Sequence, residues 1–229
     1  MKSIIEQDNI KRYISKHNLD RIFPEPDTLP IQLRVYERNE LVLKEGDELA
    51  GLYFQVEGQT KVSSSVGTGK SLLLRFCHPL SVFGDIELIQ KVEIQSQVEA
   101  VQPTSFLFID KRTVEIELMR DPHFLNELLK HLSYKLQTCT TASRINLLAS
   151  VEERFASYLL TIRLQNGFGK EIQTPHIPEI ASLIGTTPRH LNRVIKKLSN
   201  VKIIRKEKKN IFVIDWERLD ELSNGLRYE

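Results

Sequence analysis

The chain has 229 residues, 41% of them hydrophobic, which is enough for one large or two modest domains with real cores. A formal net charge of +2 means that affinity for nucleic acid has to come from local clustering of cations rather than from the chain average. Two cysteines, Cys77 and Cys139, exclude both a disulfide framework and a four-thiolate metal site. The opening MKSIIEQDNIKRYISKHN is too polar for a secretory signal and no long apolar run follows, so a cytoplasmic protein with no membrane partner is expected.

The N-terminal stretch to about Arg21 reads as a short helix, closed by Pro24, Pro26 and Pro30. Residues 33–109 are strand-like. They alternate apolar and polar, are broken by Gly46, Gly51 and Gly58, and continue through SLLLRF, SQVEAV and SFLFID. VGTGKS (66–71) ends like a phosphate loop, but its first glycine is at the wrong spacing and no helix follows, so it reads as a hairpin turn.

From residue 113 to residue 165 the pattern is helical. A long helix is predicted to begin near Pro122, with Leu125, Leu129, Leu132, Leu136, Cys139, Ser143 and Asn146 at steps of four and three. Such a stripe is a coiled-coil seam for a parallel homodimer; the alternative is a helix packed on its own β domain. The second half of the stripe lies in TCTTAS (138–143), which is small and polar. It reads as a partly solvated seam, as an effector pocket, or as a redox site at Cys139. Ser150 with Glu153 forms an S-x-x-E capping box, which starts a fresh helix and puts a hinge near Ala149 and Ser150.

IPEIASLIGTTPRHLNRVIKKL (177–198) holds two apolar-periodic segments around a glycine and Thr-Thr-Pro. Gly185 lets the first helix end in a left-handed conformation, Thr187 suits an N-cap, and Pro188 suits the first helical position. The second helix buries Leu191, Val194, Ile195 and Leu198 and turns Arg189, His190, Asn192, Arg193, Lys196 and Lys197 outward. An ordinary helical corner would not need that basic, hydrogen-bonding face; a helix-turn-helix would. VKIIRKEKKNIFVIDW (201–216) then reads as two short strands, at residues 203–204 and 211–214, around a charged turn, the outline of a wing. Lys202, Arg205, Lys206, Lys208 and Lys209 extend the basic run, opposed only by Glu207. Phosphate neutralisation accounts for such a run.

Together these features resemble the cyclic-AMP-receptor/FNR family of bacterial transcription regulators, over nearly the whole chain. The local matches are LKEGDELAGLYFQVEGQTKV (43–62) and VFGDIEL (82–88). The resemblance implies an α+β fold: an N-terminal helix and cyclic-nucleotide-binding-like β-roll over residues 1–121, a dimerisation helix over 122–149, and a winged helix-turn-helix over 150–229. It implies double-stranded DNA, a second copy and RNA polymerase as partners. Arg193 matches the family's recognition-helix arginine, suited to guanine. Arg189 stands where the best-known members have glutamate, so the half-site should differ from theirs.

Two departures bear on control. Nucleotide-binding members carry an Arg-Ser pair for the cyclic phosphate, and here Ile94 and Gln95 fall at about that place. Without a guanidinium a buried phosphodiester lacks its strongest partner, so cyclic AMP is not expected to act. Iron–sulfur members carry an N-terminal cysteine cluster that is missing here. His17 and His78 are the histidines a haem would use, although a lone histidine is more commonly structural. No cofactor is expected, and the effector stays unidentified. Gly84, Asp85, Gln95, Cys139, Thr140 and Ser143 are the candidates to line its pocket. Thr186, Thr187, Arg189, His190, Asn192, Arg193, Lys196, Lys197, Lys206, Lys208 and Lys209 are the candidates to meet DNA. The sequence carries no catalytic motif, so the chain is not expected to be an enzyme. The competing class is a small-molecule or cyclic-nucleotide-binding module that acts through a protein partner.

Overall fold

A computed structural model describes residues 2–4, 7–23, 25–67, 69, 71–165 and 167–228. By internal packing the chain forms two compact units, Met1–Ser71 with Cys77–Lys135, and Leu72–Phe76 with Leu136–Glu229.

The first unit begins with β1 (Lys2–Ile4), α1 (Gln7–Lys16) and a 3-10 turn at Leu19–Arg21. Strands β2 (Gln32–Tyr36), β3 (Leu41–Leu43), β4 (Gly51–Glu57), β5 (Thr60–Ser65), β6 (Ser71–Cys77, whose Leu72–Phe76 stretch is grouped with the second unit) and β7 (Ser81–Phe83) follow. Helix α2 (Asp85–Gln90) interrupts them before β8 (Gln97–Ala100) and β9 (Thr104–Asp110). The strands form two antiparallel sheets, ordered β1-β2-β9-β4-β7 and β3-β8-β5-β6. Central strands β4 and β9 are buried along almost their whole length. Their side chains share one core with residues of the second sheet, such as Val42 and Val98, and with helical residues such as Tyr13, Leu19, Val114, Leu118 and Phe124, so consecutive residues are buried and alternation is lost. Gln55 is fully buried in β4 and fully bonded: its amide donates to the carbonyls of Gly58 and Cys77, and its oxygen accepts from Thr60.

The opening differs from the sequence reading. Residues 2–4 pair antiparallel with β2, Lys2 opposite Val35 and Ile4 opposite Leu33, and the helix is confined to Gln7–Lys16. The strand covers a sheet edge that would otherwise present unpaired backbone. Three residues are too few for periodicity to tell strand from helix. Pro26 and Pro30 lie between the 3-10 turn and β2, while Pro24 lies outside the described residues.

After α3 (Lys111–Thr113) and a wider turn at Val114–Leu118 comes α4 (Pro122–Leu148), which begins where the sequence placed it. The boundary between the two units falls within it, after Lys135.

The second unit contains α5 (Val151–Arg163), α6 (Gly167–Ile172), α7 (Ile177–Leu183), α8 (Pro188–Asn200), β10 (Ile204–Glu207), β11 (Asn210–Val213) and α9 (Trp216–Ser223). Both bonds of the capping box are present: the Ser150 amide donates to the Glu153 carboxylate at 2.7 Å, and the Glu153 amide to the Ser150 hydroxyl at 3.3 Å. Phe155, Tyr158, Leu191, Ile195 and Leu219 build its core. Helix α9, absent from the sequence reading, starts on an Asp215 cap and packs on α5.

Candidate nucleic-acid interface

Helix α7 ends in a Schellman turn. The Gly185 amide donates to the Ser182 carbonyl at 3.0 Å and the Thr186 amide to the Ala181 carbonyl at 2.8 Å. Gly185 has φ +64°, the left-handed conformation that this ending requires. Arg154 reinforces the turn: its guanidinium donates to the carbonyls of Ile184 (2.8 Å), Gly185 (3.0 Å) and Asn146 (3.0 Å). A cation here faces the negative ends of two helices at once. Asn146 also donates to the Leu183 carbonyl and accepts from the Tyr228 hydroxyl at 2.7 Å. The last turn of α4 is therefore knotted to the helix-turn-helix by Asn146, Arg154 and Tyr228. Sequence reasoning passed over all three in this role, because their partners lie 8 to 82 positions away.

Thr187 caps α8 by accepting from the His190 amide at 3.2 Å, and Pro188 follows it. Leu191, Val194, Ile195 and Leu198 are buried, and Ala181 beneath them is fully buried. Arg189, Asn192, Arg193, Lys196 and Lys197 are exposed along the opposite face; His190 and Thr186 are half-buried.

The wing is the β10–β11 hairpin, with Glu207 opposite Asn210 and Lys208 and Lys209 at its tip. Both strands run further toward the turn than predicted, to Glu207 and from Asn210, and leave out Ile203 and Ile214, where the Ile203 carbonyl accepts from the Ile214 and Asp215 amides and closes the base. Asn192, Lys196, Lys202, Arg205 and Lys206 line a groove between α8 and the wing. Lys206 reaches across it to the Asn192 side chain at 3.3 Å. Two of the cations are already paired: Arg205 with Glu207 at 2.9 Å and Lys197 with Glu152 at 2.7 Å. Arg189, Arg193, Lys196, Lys208 and Lys209 are exposed and have no such acidic partner among the described residues. The arrangement is a positive, hydrogen-bonding surface on a helix braced from behind.

On α4 the exposed stripe is rotated from the predicted seam. Leu129 is 60% exposed, Leu136 69% and Leu147 82%, with Ser133, Thr140 and Ser143 exposed between them at steps of four and three. Leu125 and Leu132, placed in the seam by sequence, are partly buried against the first unit's core. Cys139 is exposed, and its sulfur lies 3.2 Å from the Arg75 guanidinium, which also bonds Thr138 and Glu171. Asn146 is held as described above.

The effector candidates are divided between the two units. In the first, Gly84 has φ +88° and a Cβ there would come within 2.8 Å of the Gly51 carbonyl oxygen, so only glycine fits the turn into α2. Asp85 is buried, with both carboxylate oxygens 2.7 Å from the Lys135 ammonium. Gln95 is exposed and its side chain donates to the Glu93 carbonyl, while Ile94 is buried. In the second unit Cys139 keeps the contact already given, and Thr140 and Ser143 are exposed.

The two histidines considered for haem are in ordinary structural contacts: the His17 ring nitrogen is 2.7 Å from the Val56 carbonyl, and that of His78 is 3.4 Å from the Gln59 amide. The VGTGKS segment joins β5 to β6, with Thr68 and Lys70 outside the described residues. Among the described residues no group of three or more His, Cys, Asp or Glu is placed to hold a metal, and no helix is long and apolar enough to cross a membrane.

Comparison with known proteins agrees with this architecture. Residues 33–121 match the cyclic nucleotide-binding domain model and residues 153–222 match the Crp-like helix-turn-helix domain model. The cyclic AMP receptor protein of Thermus thermophilus is 25% identical over 196 residues, which cover 85% of this chain and 89% of that protein. The global nitrogen regulator of Synechococcus elongatus is 26% identical over 197 residues, 82% of this chain and 87% of that one. Among solved structures, a CRP/FNR-family transcriptional regulator from Thermus thermophilus superposes with a TM-score of 0.67 at 22% identity, covering 85% of this chain and 99% of that one. With a β-roll of one matched domain followed by a winged helix-turn-helix of the other, the chain belongs to the CRP/FNR family of DNA-binding transcription regulators.

Proposed function

We propose that the protein is a cytoplasmic, homodimeric regulator that reads double-stranded DNA in a sequence-specific way without cyclic AMP, and that it works with RNA polymerase. The single observation that carries this reading is the one-signed surface on α8 and the wing. Arg189, Arg193, Lys196, Lys208 and Lys209 project from a helix whose start and rear are fixed by Thr187 and Arg154, and from the hairpin beside it. In this reading the N-terminal half of α8 enters the major groove. Arg193 contacts a guanine edge, and the wing lysines neutralise phosphate.

The exposed stripe of Leu129, Leu136 and Leu147 supports a second copy across α4, because large apolar side chains at heptad spacing seek a partner helix. Two recognition helices would then meet half-sites roughly 34 Å apart. The domains in this proposal are a sensor over residues 1–121, the dimer helix over 122–149 and the reader over 150–229. An effector would be sought at the polar stretch of Cys139, Thr140 and Ser143 in the second unit and, separately, at Gly84, Asp85 and Gln95 in the first.

Selection of bound fragments from genomic DNA by the purified protein, followed by a mobility shift on the recovered sequence, tests this. A shared motif with two half-sites one helical turn apart is the expected result. Recovery of fragments without a motif contradicts sequence-specific reading.

A further inference from the structure

Residues 85–100 contain no arginine, and their only cation, Lys91, is exposed at the end of α2. The two acidic side chains of α2, Asp85 and Glu87, are both buried. Glu87 is occupied within the segment, accepting from the Gln95 amide at 3.1 Å. A cyclic phosphate entering here would therefore meet two carboxylates and no guanidinium. The residues present do not fit a cyclic nucleotide.

What the segment has instead is an ammonium supplied by the chain itself. Lys135 reaches from α4 to both oxygens of Asp85 at 2.7 Å and to the Val82 carbonyl at 2.8 Å. The Asp85 side chain is only 2% exposed and that of Lys135 26%, so water screens the pair weakly. His131, one turn earlier on α4, and Glu127, one turn before that, are titratable groups near it. The pair joins the first residue of α2 to α4, and Asp85 lies in the part of the chain matched to a cyclic nucleotide-binding domain.

We infer that the Asp85–Lys135 ion pair is a built-in latch that holds α2 on α4 with no bound molecule, so that the regulator is competent for DNA as synthesised. This inference rests on the reading of the protein as a DNA-binding regulator. Lys135 acts as a positioning residue: it fixes α2 against the helix that also carries the exposed dimer stripe. Removing its charge leaves the buried Asp85 carboxylate without its partner and frees α2.

The test uses the full chain and the genomic fragment that it selects. Lys135→Met should weaken binding to that fragment at least tenfold, while Lys135→Arg stays within about threefold of the parent. Should Lys135→Met fail to fold, the Asp85→Asn/Lys135→Met double variant removes both charges and the unpaired-carboxylate cost, yet should still bind weakly. Hydrogen exchange on the unaltered, ligand-free protein gives a measurement independent of any variant. The Leu88 and Val92 amides, bonded to Gly84 and Glu87, should exchange at least about a hundredfold slower than in an unfolded chain. Parent-like DNA affinity in a folded charge-removed variant, or α2 amides exchanging at unfolded rates, overturns the latch. Failure of the unaltered protein to select any DNA refutes the parent reading instead.

Discussion

The reader and the sensor treat charge in opposite ways. On α8 and the wing, Arg189, Arg193, Lys196, Lys208 and Lys209 stand in solvent with no carboxylate against them among the described residues. In the β-roll unit, the charges at the start of α2 are turned inward and matched, Lys135 on Asp85. Exposed cations of one sign lower their mutual repulsion when a polyanion arrives, which favours DNA. A buried, already neutralised carboxylate has nothing comparable to gain from a ligand. The contrast supports the proposal that the charges left unsatisfied on a surface, more than the family fold that carries it, decide what it binds.

The largest effect should come from separating the two readers. Leu129→Asp with Leu136→Asp places like charges in an apolar seam. The protein should then sediment as a monomer and lose the roughly 10²–10⁴-fold advantage of two linked contacts. A dimer that still forms, or undiminished operator binding by the monomer, would mean that the exposed stripe of α4 has another use.

Next comes the base contact. Arg193→Ala should cost about 1–3 kcal/mol on the selected sequence and relax one base position. Competition with random DNA checks it, since equal losses on both would assign Arg193 to the backbone.

A more uniform effect is expected from the wing. Changing Lys206, Lys208 and Lys209 to Ala should flatten the slope of log K against log salt by up to about 2.7, at about 0.9 per phosphate contact, on every sequence alike. Lys197→Ala makes the contrast sharp: its ammonium sits on Glu152, so the slope should scarcely move. A change as large as one full contact would return Lys197 to the DNA-facing set in which the sequence placed it.

The smallest effect concerns the sensor's inward charge. Burial, and then the Lys135 charge, hold the His131 imidazole below its ordinary value of 6.5. The unfolded chain therefore takes up a proton before the folded one does, and stability is lost as pH falls through about 6.5 toward the folded value. Melting temperature should decline more steeply from about pH 7.5 to pH 5.5 in the parent than in His131→Asn. Parallel curves would show that His131 is not linked to folding.

Much of the reader was legible because its signals are local. Gly185, Thr187, Pro188 and the Ser150–Glu153 box each act on neighbours within a few residues, and the structure has each in the expected role. The β-roll was legible through its glycine breaks and short apolar runs, while the alternation expected of its strands fails in β4 and β9, which are buried along almost their whole length. The latch was not, because Asp85 and Lys135 are 50 positions apart and Lys135 sits unremarkably in a leucine-rich helix. Nor was the knot of Asn146, Arg154 and Tyr228, where sequence placed a hinge at Ala149 and Ser150. The break in the helix is there, but side chains from both sides bridge it. The stripe on α4 was read one step around the helix, since Leu125 and Leu132 continue the same periodicity while turning toward the core. Helix α9 is short, but Trp216, Leu219 and Leu222 stand at helical spacing behind the Asp215 cap, a signal that the sequence reading did not use.

The central claim is that exposed cations on α8 and the wing read DNA while the inward-paired sensor needs no cyclic nucleotide. Fluorescence anisotropy of the selected fragment against random DNA, with and without cyclic AMP, tests it most directly. The account predicts a preference for the selected fragment of about 10³-fold or more that weakens steeply with salt. It also predicts that saturating cyclic AMP leaves this preference unchanged. Absence of any preference without nucleotide, or a tightening by tenfold on adding it, equivalent to about 1.4 kcal/mol of coupling, would contradict the account.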